Sequence, residues 1–343
     1  MSSAARPGSG PVVCFGEMLL RLSPPAAIPL AQTRTLDVNV GGAEANVAAA
    51  LASLGTPSRM LSVLPDNDLG VTARRAMAAA GVDAGALVTR AGRMGLYFYE
   101  PAAGPRPGRV TYDRAGSAFA EADAADLGFA DALKGARLLH MSGITPALGP
   151  RGCDLARAAV AAARESGVPI AFDGNYRGNL WSAWDSDPRG VLTELIGEAT
   201  ILFGNHRDVG LLLGSEFSGD GEDRRREAAE AAFELFPRLQ LMASTARNVI
   251  DAQHHKLAAR IDVRDGGWQT DEIDITGIVD RIGTGDAFAA GVLHRYLGGA
   301  GVREMAEAGL ALATLMHGVP GDMILASERD LTEFHPGGGD VRR

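Results

Sequence analysis

Asp280-Arg281-Ile282-Gly283-Thr284-Gly285-Asp286 runs directly into Ala287-Phe288-Ala289-Ala290-Gly291-Val292-Leu293. A glycine-rich turn precedes an apolar, helix-forming run and ends on an acid. The first N–H groups of a helix have no intrahelical acceptor, and the macrodipole favours negative charge there. Such a turn can therefore present backbone N–H groups to an anion. Gly283 and Gly285 can take positive φ and let a ligand approach the backbone. Asp286 could orient or deprotonate a hydroxyl beside a bound phosphate. The plainer alternative is a flexible turn with Asp286 in the first helical turn for dipole reasons.

Outward from this turn the chain reads as alternating strands and helices. Val12-Val13-Cys14-Phe15-Gly16 is a short apolar run suited to a buried strand. Residues 18–23 and 36–40 read as exposed strands flanking a proline-rich loop. Helices follow at 43–54 and 69–80, with a strand at 59–64 between them. Between about 93 and 118 the rhythm breaks: residues 95–100 and 109–113 are strands with no helix between, hence a hairpin. With the strands near 18–40 it can form a small second sheet. Alternation then resumes with strands at 136–141, 169–173, 200–203 and 239–243. Helices are expected at 152–165, 188–196, about 222–235, 285–297 and 302–316. This rhythm argues for an α/β fold, a mainly parallel sheet flanked by helices.

Composition narrows the function. Hydrophobic residues make up 46% and charged residues 22% of 343, as in soluble globular proteins. A net charge of −9 argues against general nucleic-acid affinity. No run of about 20 apolar residues suggests a membrane span. The ends, 1–11 and 337–343, read as disordered tails, and the first lacks the apolar core of a signal peptide. Two distant cysteines, Cys14 and Cys153, form no disulfide framework, which fits a reducing cytoplasm. The lysines are Lys134 and Lys256, neither in a Walker A loop. A bound nucleotide would need backbone N–H groups, arginine and metal to hold its phosphates.

Polar residues cluster after strands: Gly16-Glu17, Asp173-Gly174-Asn175-Tyr176-Arg177, then Asn205 and Asp208. Ligands of open α/β sheets bind beyond the carboxyl ends of the strands. Gly41-Gly42-Ala43-Glu44-Ala45-Asn46 opens a helix whose glycines permit close ligand approach and whose Asn46 can both donate and accept; a turn plus helix start is the plain alternative. Tyr97 and Tyr112 lie on the hairpin, where aromatic residues usually serve packing. Arg114 and Arg177 are two guanidinium groups near predicted strand ends, and together they suggest an anionic substrate. Asn205 and Asp208 could hold the water shell of Mg²⁺, or simply cap a helix. His254-His255 has no spaced partner and reads as surface.

Taken together, these segments resemble the pfkB, or ribokinase-like, carbohydrate kinase family. Gly41-Gly42-x-x-x-Asn46 and D-R-I-G-T-G-D-A-F are similar to its two signatures, and the resemblance covers about 12–333. Gly95-Leu96-Tyr97-Phe98, Tyr112-Asp113-Arg114-Ala115-Gly116-Ser117-Ala118, Phe172 to Trp181, and Pro320-Gly321-Asp322 resemble the 2-keto-3-deoxygluconate kinase branch. The resemblance implies a ribokinase-like fold with a β-sheet lid, inserted at about 18–40 and 93–115, which often pairs with a second subunit's lid. It implies ATP-dependent phosphorylation of the 6-hydroxyl of a sugar acid, with Mg²⁺.

On this reading Gly41, Gly42, Asn46, Tyr97, Tyr112, Arg114, Arg177 and Asp322 hold the sugar acid. Asp286 is the base, and the N–H groups of Gly283, Thr284 and Gly285 stabilise the transferred phosphoryl. Asn175, Tyr176, Thr245 and Arg247 contact the nucleotide, and Asp208 is an outer-shell Mg²⁺ residue. Kinases of fructose, ribose or 5-dehydro-2-deoxygluconate, or a non-catalytic sugar-binding regulator, are the alternatives. Departures from the family pattern are Thr284 between the signature glycines, Asp208 in place of a glutamate, and the segment 244–256, expected to begin as a nucleotide loop.

Overall fold

A computed structural model describes residues 10–337 apart from 27, 105 and 218–220, so most of both expected tails lies outside the described residues. The strands are β1 (Val12–Phe15), β2 (Leu19–Ser23), β3 (Asp37–Gly41), β4 (Ser58–Pro65), β5 (Leu87–Arg90), β6 (Gly95–Glu100) and β7 (Arg109–Asp113). They continue with β8 (Leu138–Ser142), β9 (Ile170–Asp173), β10 (Ile201–Phe203), β11 (Leu241–Asp251), β12 (His254–Val263), β13 (Gly266–Gln269) and β14 (Ile273–Thr276). The longer helices are α1 (Ala43–Ser53), α2 (Asp68–Ala79), α3 (Pro150–Glu165), α4 (Pro188–Ile196), α5 (His206–Leu213), α6 (Gly221–Leu235), α7 (Thr284–Leu297) and α8 (Val302–Met316).

The main sheet runs β13-β12-β11-β10-β9-β8-β1-β4-β5, with β14 paired to β12. From β5 to β11 every pairing is parallel. Its central strands are apolar without alternation because helices cover both faces. One core lies under α1, α2, α7 and α8, the other under α3 to α6. Helix ends follow local chemistry: Asn67 caps α2 by accepting from Leu69 N–H at 3.0 Å, and Gly55 at φ 83° follows α1.

Two sequence expectations fail here. The strand expected at 239–243 runs from Leu241 to Asp251, so Ser244-Thr245-Ala246-Arg247 is strand and not loop. It pairs antiparallel with β12 from Leu241↔Val263 to Asp251↔His254. The polar residues after Ala243 hide this, since one ladder partner lies beyond the turn at residues 252–253. His255, expected at the surface, is fully buried under this ribbon, while His254 is half-buried and bonded to Asp274.

The second sheet, β3-β2-β6-β7, is separate from the first. The expected hairpin is present, with Tyr97 opposite Tyr112. Alternation along β6 buries Tyr97 and Tyr99 on one face against Leu19, with Ile282 packed on the cluster. Contrary to expectation β2 is mostly buried, because its Arg21 points into the body of the protein. Among the described residues no helix is long and apolar enough to cross a membrane.

Helix α7, which carries the signature turn at its head, is seated by glycines. A Cβ on Gly309 of α8 would lie 2.6 Å from the Phe288 ring, and one on Gly291 would lie 2.6 Å from the Ala308 carbonyl oxygen. Gly309→Ala should therefore overpack the α7–α8 contact and destabilise the protein by about 1–3 kcal/mol. Urea unfolding checks this; an unchanged midpoint would show that the helices part freely.

Candidate active site

The turn takes the shape its glycines permit. Gly283 is the N-cap of α7 in the left-handed region, at φ 79°. A Cβ there would lie 2.2 Å from the Asp322 carbonyl oxygen, so the position needs glycine for both torsion and clearance. The first intrahelical bond runs from Ala287 N–H to the Gly283 carbonyl at 2.8 Å. The N–H groups of Thr284, Gly285 and Asp286 thus precede the helical ladder, on residues that line a cleft of about 1000 Å³. Asp280 braces the turn by accepting from Arg281 N–H at 2.7 Å and Ile282 N–H at 3.0 Å. Thr284 donates its hydroxyl to the Arg281 carbonyl at 3.0 Å, which adds a bond within the turn.

Asn46, one turn into α1, donates its amide to Asp286 Oδ2 at 2.6 Å. Asp286 is half-buried, and its carboxyl is pushed up to about 6, chiefly by burial, against the Asn46 hydrogen bond and the Arg177 charge. Two further carboxyls on the cleft wall are shifted the same way. Burial, opposed by a Ser142 hydrogen bond, holds Glu44 at about 7. Burial, then the charges of Asp286 and Asp208, raises Asp173 well above the usual range. Gly16 is the space for Glu44: a Cβ there would lie 2.0 Å from Glu44 Oε2.

The two arginines singled out from sequence both line the cleft but differ in freedom. Arg114 is buried, and its Nε donates to Glu17 Oε2 at 2.8 Å while a second nitrogen binds the same oxygen. Ser117 donates to the other Glu17 oxygen, and the guanidinium lies 5.6 Å over the Tyr112 ring. Arg177, at the start of a short helix after β9, is exposed. Tyr97 donates its hydroxyl to Asp322, whose other oxygen takes Arg21 Nη1 at 3.0 Å.

An Asp anchored by Asn46 at the open head of a helix, across a cleft from tyrosines and arginines, is an arrangement for handling an anion and a hydroxyl together. Residues 10–329 match the family model described as pfkB family carbohydrate kinase. The chain belongs to this family of carbohydrate kinases. The 2-dehydro-3-deoxygalactonokinase of Haloferax volcanii is 32% identical over 329 residues, 95% of this chain and 97% of that protein. The 2-dehydro-3-deoxygluconokinase of Thermoproteus tenax is 27% identical over 327 residues, 94% and 93% of the two chains. The crystal structure of the 2-dehydro-3-deoxygluconokinase of Thermotoga maritima superposes with a TM-score of 0.89 at 34% identity, covering 94% of this chain and 98% of that one.

In this carbohydrate kinase the cleft also takes in Gly42, Asn175, Thr245 and Arg247. Asn175 sits at φ 37°, with its N–H bonded to Asp173 Oδ1 at 3.1 Å. Tyr176 is exposed and off the cleft wall. Gly41, also off the wall, leaves room for Asp322: a Cβ there would lie 1.9 Å from Asp322 Oδ2. Asp208 accepts from Asn205 N–H at 2.7 Å, and Asn205 Oδ1 accepts from Arg207 N–H at 2.8 Å. This capping box occupies both side chains, and Asp208 does not line the cleft. Among the described residues no three His, Cys, Asp or Glu side chains group to hold a metal. A Mg²⁺ that keeps its waters and meets the nucleotide phosphates needs no such group.

Sequence reading missed Arg21, and noted Glu17, Glu44 and Asp280 without giving them partners. A charged residue inside the apolar run of β2 was the available signal for Arg21.

A carboxylate accepts a proton only when ionised, so with Asp286 in that role phosphoryl transfer by this kinase should rise with pH through about 6. Asn46→Ala removes a bond that lowers the Asp286 value, so the acid limb of kcat/KM should move to higher pH. A limb that stays in place would detach Asn46 from the base.

Proposed function

We propose that this kinase transfers the γ-phosphoryl group of ATP to the 6-hydroxyl of a 2-keto-3-deoxy sugar acid, gluconate- or galactonate-derived. The observation that carries the reading is the Asn46–Asp286 hydrogen bond at the head of α7. One oxygen of Asp286 is fixed by Asn46, which leaves the other for the substrate hydroxyl. Asp286 takes the hydroxyl proton as that oxygen attacks the γ-phosphorus. The bond from that phosphorus to the β-phosphate oxygen breaks and ADP leaves. The N–H groups of Gly283, Thr284 and Gly285 receive the charge on the equatorial oxygens, where positioning and charge stabilisation supply most of the rate. Mg²⁺ bound with the nucleotide would neutralise charge on its phosphates, with Asp208 the outer-shell residue of this reading.

For the acceptor, the reading places Gly42, Asn46, Tyr97, Tyr112, Arg114, Arg177 and Asp322 around the sugar acid, with Arg177 on its carboxylate. Thr245 and Arg247 face the nucleotide. The relatives named for keto-deoxy sugar acids support this choice. The pairing of Arg114 with Glu17 supports a second reading, a kinase of a neutral sugar, because it leaves one exposed arginine and not two to meet an acid. The small sheet acts as a lid, and its exposed Val38 lies on the face turned away from Tyr97, which a second copy would cover.

Asp286→Asn should lower turnover by about 10²–10⁴-fold while ATP affinity stays within about twofold. Near-normal turnover in that variant would remove the base assignment. A coupled ADP-release screen of keto-deoxy sugar acids against hexoses and pentoses decides the substrate. Arg177→Ala should raise KM for acids by tenfold or more and leave neutral sugars unchanged, since a charge-assisted bond contributes about 1.5–3 kcal/mol. Preference for a neutral sugar in the wild type would establish the second reading.

A further inference from the structure

Six arginines line the cleft, and they fall into two electrostatic classes. Arg114 is paired with Glu17. Arg177 faces the charges of Asp173, Asp208 and Asp286, and Arg207 stands beside Asp208. Arg225 bonds to Gln269. The remaining two, Arg247 on β11 and Arg281 in the turn before α7, make no ion pair or side-chain hydrogen bond with a described residue. Both are exposed on the cleft wall, and partial desolvation and then the Arg281 charge lower the Arg247 value, so the two cations lie near each other.

Among the described residues the acids near them are engaged elsewhere, Asp251 by accepting from Gln253 N–H at 2.7 Å. His255 and His317 pack edge to face, with ring centroids 5.9 Å apart. Both are buried, and burial and then the Arg247 charge hold their values below the ordinary imidazole range. His317 lines the cleft; its Nδ1 is bonded to the Ala313 carbonyl at 2.7 Å, and its Nε2 has no partner. Asp280, next to Arg281 in sequence, has its carboxylate engaged by Arg21 and by the turn's own N–H groups. Two exposed guanidinium groups on one cleft wall, each without an acid partner among the described residues, gain when an anion joins them, and a guanidinium fork suits phosphate oxygens. Arg281 stands two residues before Gly283, so the anion it meets adjoins the free N–H groups of α7.

We propose that Arg247 and Arg281 form a clamp for the polyphosphate of the nucleotide, on a stretch of the cleft distinct from the acceptor pocket at Arg177. The assignment rests on the ATP-dependent reading above. The two arginines act on binding and orientation of the phosphate chain, while Asp286 acts on the acceptor.

The test is calorimetric titration of the full chain and of its Arg247→Met, Arg281→Met and double variants with ATP, ADP, AMP and inorganic tripolyphosphate. Steady-state KM for the acceptor is measured alongside. Each single variant should weaken ATP and tripolyphosphate by about tenfold or more. AMP affinity and acceptor KM should move less than twofold. Arg281→Lys should recover part of the loss. Methionine keeps the apolar stem, and matching thermal unfolding curves report that the variants fold. Unchanged ATP affinity overturns the clamp, as does an equal loss for AMP, which would place the arginines on the base or ribose. A rise in acceptor KM alone assigns them to the substrate acid and also overturns it. Wild-type protein that binds neither ATP nor tripolyphosphate overturns the ATP-dependent reading itself, whereas wild-type binding retained by the variants overturns only the clamp.

Discussion

Arg21 joins parts of the molecule that would otherwise have no fixed relation. It comes from the small sheet, and its guanidinium is buried between Asp280, which braces the signature turn, and Asp322 of the C-terminal loop. The same side chain lies 4.5 Å over the Tyr99 ring and donates to Ser23 at 2.7 Å. Burial disfavours its charge, but Asp280, Asp322 and Tyr97 more than offset this, so Arg21 stays ionised. A buried pair of this kind is poor evidence for net stability, because desolvating the ions costs about as much as their attraction returns. Its consequence is geometric. Removing one partner would leave an uncompensated buried charge, at a cost of about 3–5 kcal/mol, so alternative placements of the sheet over the turn are strongly disfavoured. The cleft keeps its width because this network holds both of its walls.

The glycines around that network are the other half of the constraint. Gly41 and Gly283 both leave space for Asp322, one for its carboxylate and one for its carbonyl. Gly16 leaves space for Glu44, and Gly42, at φ 136°, would place a Cβ 2.4 Å from the Glu17 carbonyl oxygen. Residues that sequence reading took as ligand-binding glycines therefore also act as clearance for buried acids. The two roles coincide because a backbone that comes close to a ligand must also come close to the groups that position it.

What sequence made legible follows from the range of the forces involved. The strand-helix rhythm and the hairpin at 95–113 depend on side-chain period and local turns, and both were readable. The stretch of the β11–β12 ribbon after Ala243 was read as a loop because its pairing, and not its polarity, makes it a strand. Partner choice was the least readable feature. Arg114 looked like a free cation until Glu17, 97 residues away, was placed against it. Arg21 and Asp280 are separated by 259 residues and share no local pattern. The site's residue types could be named from sequence, but the charge left available to a ligand could not.

That residual charge governs how the base operates. The dipole of α7 would lower the Asp286 value, as would Asn46 and Arg177, yet burial outweighs them and leaves it at about 6. Asp286 is therefore ionised at neutral pH yet more basic than a free aspartate. An anion bound over the N–H groups of Gly283 to Gly285 would raise it further, because a nearby negative charge disfavours a second one. In the proposed mechanism the group that accepts the proton thus becomes a stronger base when the phosphate is in place. Burial holds neighbouring Glu44 at about 7 and, with the charges of Asp286 and Asp208, raises Asp173 well above the usual carboxylate range, so burial works against the charge of both acids beside the anion site. The acids are tolerable at an anion site because burial disfavours the charge of Glu44 and Asp173, and Asp286 is the one whose ionisation the proposed chemistry requires.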